Sequence, residues 1–288
     1  MITYNPKDVW KLIFAFHKSD TFRILLPSML GLSLFTVGIA YLELDHWRLT
    51  FKNSMAAHSV IGFVLSFLLV FRTNSAYDRW WEGRKIWGSF TNNSRNLAMK
   101  LNAILPKERT DLREMFRLLI GNYVTAAHQH LLHGVDFKTL ENYGEFDEKY
   151  YRQFNHIPNG IAKTLYEEII KLNHKNIFAK EDVLFLNTEL QSFTDNIGAC
   201  ERIKNTPIPY SYSIFLKKII FVYVLTMPFG FAMEFGYWAA LVVPFVFYAF
   251  ASIELIGEEI ENPFGEDAND LPTDEIAERI KGNLKELL

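Results

Sequence analysis

Asp267 and Asp270 stand three residues apart behind a turn set by Pro263 and Gly265, a spacing that lets two carboxylates meet one hard cation. Two carboxylates alone make weak calcium chemistry. The acidic run ahead of them, Glu254, Glu258, Glu259 and Glu261, reads as a solvated face. The other candidate ligands are His128, His130 and His133. On a single helix the first two point about 160° apart, and no carboxylate lies between His128 and His133, so no metal centre is expected there. Phe63, Phe67 and Phe71 recur at intervals of four and lie on a stripe that drifts only about 80° along a helix. If several copies of that helix surround an axis, each phenylalanine becomes a ring, and stacked rings form an apolar constriction that gates by dewetting. Phenylalanines of a membrane helix equally face lipid or neighbouring helices, and both readings stand at this point. Gly62 and Ser66 fall on another face, where small side chains let a second helix approach closely. The chain contains no glycine-rich nucleotide loop, zinc-spacing motif or nucleophile elbow, so an enzyme is not expected.

These residues must be held by membrane-spanning elements. Mean hydropathy is only +0.01, but the apolar residues are concentrated: the chain carries 25 Phe in 288 residues, and four runs approach the length of a bilayer crossing. They are Ile24 to Leu42, Met55 to Phe71, Ile219 to Met233 and Phe235 to Ile253, the last two forming a tight helical hairpin around Pro228, Gly230 and Gly236. Arg72 to Gly88, dense in Arg, Trp and Tyr, suits the cytoplasmic membrane interface. Lys7, Lys11, Lys18 and Arg23 precede the first run, and Arg72, Arg79, Arg84 and Lys85 follow the second. Lys217 and Lys218 precede the third, whereas the first connection has only Arg48 and Lys52. The positive-inside rule therefore puts both termini and residues 92–206 in the cytosol.

Residues 92–206 are too patterned for a loop. Thr110 is positioned to cap a helix running toward His133, Gly160 to open another through Lys171, and a third begins near Glu181. On the last, Val183, Leu186, Leu190, Phe193, Ile197 and Cys200 alternate spacings of three and four and share one stripe, ended by Pro207 and Pro209. The expected fold is an all-α integral membrane protein with four transmembrane helices and a cytosolic helical region. Its parts are 1–91 (first helix pair), 92–206 (cytosolic helices), 207–256 (second pair) and 257–288 (acidic turn and C-terminal tail). The net charge of −3 argues against nucleic-acid binding. The polar start through Asp8 is unlike a cleaved secretory leader, and the single Cys200 allows no intrachain disulfide.

Arg79-Trp80-Trp81 resembles the Arg-Trp-Trp of the bestrophin family, and Asn262-Pro-Phe-Gly-Glu-Asp267 resembles that family's Asn-Pro-Phe-Gly-Glu-Asp. The phenylalanine spacing and the four apolar runs extend the likeness over nearly the whole chain. The resemblance implies a homopentameric ion channel of the prokaryotic branch in an inner or plasma membrane, its partners being lipid and permeant monovalent ions. Cations would be slightly favoured over chloride. It implies a hydrophobic neck at Phe63, Phe67 and Phe71 and a cytosolic constriction near Val183 and Leu184. It further implies a calcium clasp whose side-chain ligands match Asp267 and Asp270, with Glu259 and Asn262 assisting. Ala268 and Asn269 depart from the family's acidic run and lower its charge, so calcium binding would be weak and no cofactor is required. A multi-span transporter or membrane-bound sensor is the alternative, and the absence of an internal repeat with midplane charges counts against the transporter.

Overall fold

A computed structural model of the chain describes residues 7, 10, 20–48 and 56–288. Lys11, Lys18, Lys52 and Met55, used above for orientation and for the start of the second run, lie outside the described residues. Those described are helical: α1 (Asp20–Tyr41), α2 (Ala56–Ile104), α3 (Thr110–Leu132), α4 (Ile157–His174), α5 (Lys180–Asn205), α6 (Tyr210–Phe235), α7 (Ala239–Glu261) and α8 (Thr273–Leu287), with short helical turns between them. The nearest thing to a strand among them is an isolated bridge between Tyr143 and Phe146. The chain divides into two compact units. One, the span unit, runs up to Arg79 and resumes for Pro207–Glu261; the other, the bundle unit, comprises Trp80–Thr206 and Asn262–Leu288.

Three stretches, Thr21–His46, Ala56–Ile104 and Tyr210–Glu261, are long and apolar enough to cross a membrane; the first and last lie in the span unit, and the second begins there. The third contains both α6 and α7. They are separated at Gly236, whose φ of +57° is a backbone state that a side chain would strain. The helices carry Pro27, Pro228 and Pro244 internally, which helices packed in a membrane tolerate because neighbouring groups re-satisfy the backbone. Leu65 and Leu69 of α2 pack with Leu216, Ile220, Val224 and Met227 of α6 and with Val243 of α7. At Gly62 a Cβ would lie 2.6 Å from the Tyr223 hydroxyl oxygen, so the expected close helix approach at this glycine is present. The Ser33 hydroxyl donates to the Ala240 carbonyl at 2.8 Å and ties α1 to α7.

The bundle unit has its own core of Trp87, Phe90, Phe116, Leu119, Tyr123, Leu165, Phe193 and Ile197, extended by Phe264, Ile276 and Ile280. The α5 stripe read from the sequence faces it: Leu186, Leu190, Phe193, Ile197 and Cys200 are buried, and Val183 packs against it half-buried. Two helix starts differ from expectation. Thr110 is the first residue of α3 and makes no cap; Arg109 occupies the cap position without a side-chain hydrogen bond. α4 opens at Ile157, three residues before Gly160, because the His156 imidazole Nδ1 accepts the Asn159 amide and Pro158 presets the first turn. Gly160 is instead pressed against the Phe154 ring. The expected C-terminal tail is also a helix: Ile276, Ala277, Ile280 and Leu284 of α8 are buried.

Candidate pore helix and acidic turn

Helix α2 divides its faces sharply. Leu65, Leu69, Arg72 and Ala76 recur at three to four residues and are buried, whereas Phe63, Phe67 and Phe71 remain 69%, 56% and 56% exposed. The three rings follow one another along the helix with centroids 5.9 Å and 5.4 Å apart, the first pair tilted and the second edge to face. They touch one another rather than the core of their own subunit, so the stripe is available to lipid, to a second copy or to a water path. Val64 is also exposed, while Leu68 packs partly against the core.

One residue beyond Phe71 the chemistry changes. Arg72, expected among headgroups at the membrane interface, is instead buried in the span unit. Its Nη2 donates to Glu261 Oε2 at 2.6 Å, and its Nε lies 3.7 Å from Glu254. Glu261 also accepts the Ile208 amide at 2.6 Å, and its backbone carbonyl takes the Arg79 Nε at 3.0 Å. The acidic run at the end of α7 is therefore not simply a solvated face: Glu254 is buried, Glu261 anchors two arginines, and Glu258 pairs with Lys217 at 2.7 Å. The sequence carried no signal for the Arg72–Glu261 pair.

In the bundle unit two motifs far apart in sequence meet. The Trp80 indole donates to the Asn269 carbonyl at 2.9 Å. At Gly83 a Cβ would lie 3.1 Å from both Pro263 and Phe264, so the glycine admits the Asn-Pro-Phe-Gly turn against α2. Within that turn Asp270 is buried and its Oδ2 accepts the Asp267 amide at 2.7 Å, while Leu271 donates to the Pro263 carbonyl at 3.0 Å. Asp267 and Asn262 are exposed, and Glu259 lies half-buried near the end of α7 in the span unit. Asp267 and Asp270 line one cavity of about 320 Å³ with Glu266, Asp274, His128 and Thr273. Oxygen donors for a hard cation are thus at hand, but one oxygen of Asp270 already serves the turn. Such a set fits calcium weakly.

The remaining candidates separate. At the start of α5 Val183 turns toward the core, whereas Leu184 is 75% exposed. The three histidines of α3 go to different partners. His128 Nδ1 lies 2.8 Å from the Thr273 hydroxyl, and burial pushes its imidazole below the ordinary range despite the opposing charge of Asp274. His133 is exposed, 3.4 Å from Glu266, and His130 turns toward Glu201.

A family model described as Bacterial/Fungal Bestrophin protein matches residues 1–286. The chain belongs to the bestrophin family. Among curated relatives, a voltage-dependent anion channel-forming protein of Nostoc sp. is 37% identical over 256 residues, covering 87% of this chain and 83% of the relative. A protein of the same description from Synechocystis sp. is 32% identical over 287 residues, covering 97% and 92%. The solved structure of a bacterial bestrophin homolog from Klebsiella pneumoniae superposes with a TM-score of 0.82 at 25% identity, covering 92% of this bestrophin and 97% of that chain. The all-helical architecture and the apolar helices are those of a membrane ion-channel family.

Proposed function

We propose that this bestrophin is one subunit of a homopentameric channel for small monovalent ions, with α2 around a central pore and Phe63, Phe67 and Phe71 as its neck. The observation that carries the proposal is the split of α2: the aliphatic positions are buried within the subunit and the aromatic stripe is left uncovered. Residues 1–91 and 207–256 supply four membrane crossings, α6 and α7 counting as two. Residues 92–206 and 257–288 lie in the cytosol with both termini, in an inner or plasma membrane. Exposed Leu184 is the better of the two candidates for the cytosolic constriction, and Asp267 and Asp270, aided by Asn262, bind calcium only weakly.

Uncharged rings offer an ion no ligand, so the neck gates without selecting charge. Charges elsewhere set the sign. The family resemblance puts cations slightly ahead of chloride, whereas the curated relatives are named for anions. Reversal potentials in asymmetric potassium chloride decide between them, and a chloride-directed shift would overturn the cation preference. The neck is tested by single-channel recording of Phe67→Ala beside Leu68→Ala. Removing a ring without adding charge should raise conductance or open probability. Equal currents from the two variants would withdraw the pore assignment.

A further inference from the structure

Three helical elements of the bundle unit converge on one carboxylate. His130 near the end of α3 and His156 at the cap of α4 each direct Nε2 to the same oxygen, Oε1 of Glu201 on α5, at 2.7 Å and 2.6 Å. The imidazole centroids are 4.5 Å apart, and each side chain is close to three-tenths exposed. We propose that His130, His156 and Glu201 form a binding site for a divalent transition-metal ion of the zinc class, bracing α3, α4 and α5 together.

The donor set decides the class of ion. Two imidazoles and one carboxylate suit zinc, cobalt or nickel, whereas calcium and magnesium require an oxygen shell. The three donor atoms lie within 4.8 Å of one another. An ion about 2.0–2.1 Å from each ligand requires the pair contacts to open by less than ~1 Å. Partial exposure leaves room for water at a fourth position.

The same geometry identifies what the ion must displace. His156 Nδ1 accepts the Asn159 amide at 3.1 Å, so without metal the neutral ring carries its proton on Nε2 and donates it to Glu201. A metal at Nε2 moves that proton to Nδ1 and releases the Asn159 amide. Asn159 is exposed, and water takes over that bond. One helix cap is weaker than the interactions a bound metal supplies. A purely structural brace would keep the cap and bind no ion.

Cobalt(II) titration of the full chain in detergent separates the two. The expected result is one cobalt per chain with the strong visible absorption of four-coordinate geometry, displaced by zinc, and a rise in Tm with zinc. His130→Ala and His156→Asn should each weaken binding ~100-fold or more and abolish the spectrum. The asparagine keeps an acceptor at the cap, so α4 still starts correctly, and helical content measured by circular dichroism should be unchanged. His133→Ala, which alters an exposed histidine outside the cluster, should bind as the parent does. No saturable binding by the parent, or equal binding by the parent and His156→Asn, would overturn the site.

Discussion

Replacing Arg72 by alanine would leave Glu254 and Glu261 without the cation that faces both of them inside the span unit. Breaking a buried pair from one side is costly, about 3–5 kcal/mol, because the remaining charge keeps its desolvation penalty. Arg72→Ala should therefore lower the thermal stability of the detergent-solubilised protein much more than Lys217→Ala, which removes the exposed partner of Glu258. Comparable losses from both would mean that the Arg72 pair is hydrated and weak. A second single-atom test lies in the bundle unit. The Tyr123 hydroxyl donates to the Phe193 carbonyl at 2.6 Å, and the two rings stack with centroids 4.7 Å apart. Tyr123→Phe keeps the stack but orphans a buried carbonyl, so it should destabilise by about 1–3 kcal/mol in chemical unfolding. No change in the unfolding midpoint would show that water replaces the hydroxyl.

The C-terminal helix α8 depends on a single apolar face against α3. Ile280 is fully buried there between Ile276 and Leu284. Ile280→Ala should cost about 2–5 kcal/mol through lost burial and the cavity left behind, and protease sensitivity of the last helix should rise with it. A protease pattern identical to the parent would show that α8 docks without that side chain. This face was legible in the sequence, since Ile276, Ala277, Ile280 and Leu284 share one side of a helix, yet the segment reads as a tail if the acidic turn is taken as the end of order. The α5 stripe was legible for the same reason: a spacing of three and four is a local signal. The start of α4 was not, because the cap that fixes it is an imidazole rather than one of the usual short oxygen-bearing side chains. Least legible were the pairings between elements. Arg72 and Glu261 are 189 residues apart, and His130 and Glu201 are 71 apart; no local spacing encodes either meeting. The histidines of α3 looked unsuited to a metal because only neighbours on the same helix were in view.

Across the whole chain the two units have different surfaces and should meet different solvents. The span unit exposes Leu34, Val60, Phe63, Phe221, Leu241 and Phe245, a surface that suits lipid. The bundle unit carries surface ion pairs such as Arg109–Asp111 and Arg152–Glu148, which suit water. If residues 92–206 are cytosolic, cysteines placed at Asp45 and Asn142 should label from opposite sides of the membrane, and labelling of both from one side would overturn this topology. Assembly follows from a separate consideration. Each chain contributes one α2, and a single helix cannot enclose a water path; in lipid, exposed apolar side chains also give helices no hydrophobic drive to associate. If α2 lines the pore as proposed, the conducting protein is a closed ring in which α2 of each copy faces the axis and the phenylalanine stripe is shielded from lipid. The mass of the purified protein in detergent, corrected for bound detergent, should be that of five chains. Dilution into harsher detergent that releases single chains should abolish ion flux after reconstitution. A species that stays monomeric in the bilayer and still conducts would place the ion path within one subunit and remove the neck from Phe63, Phe67 and Phe71.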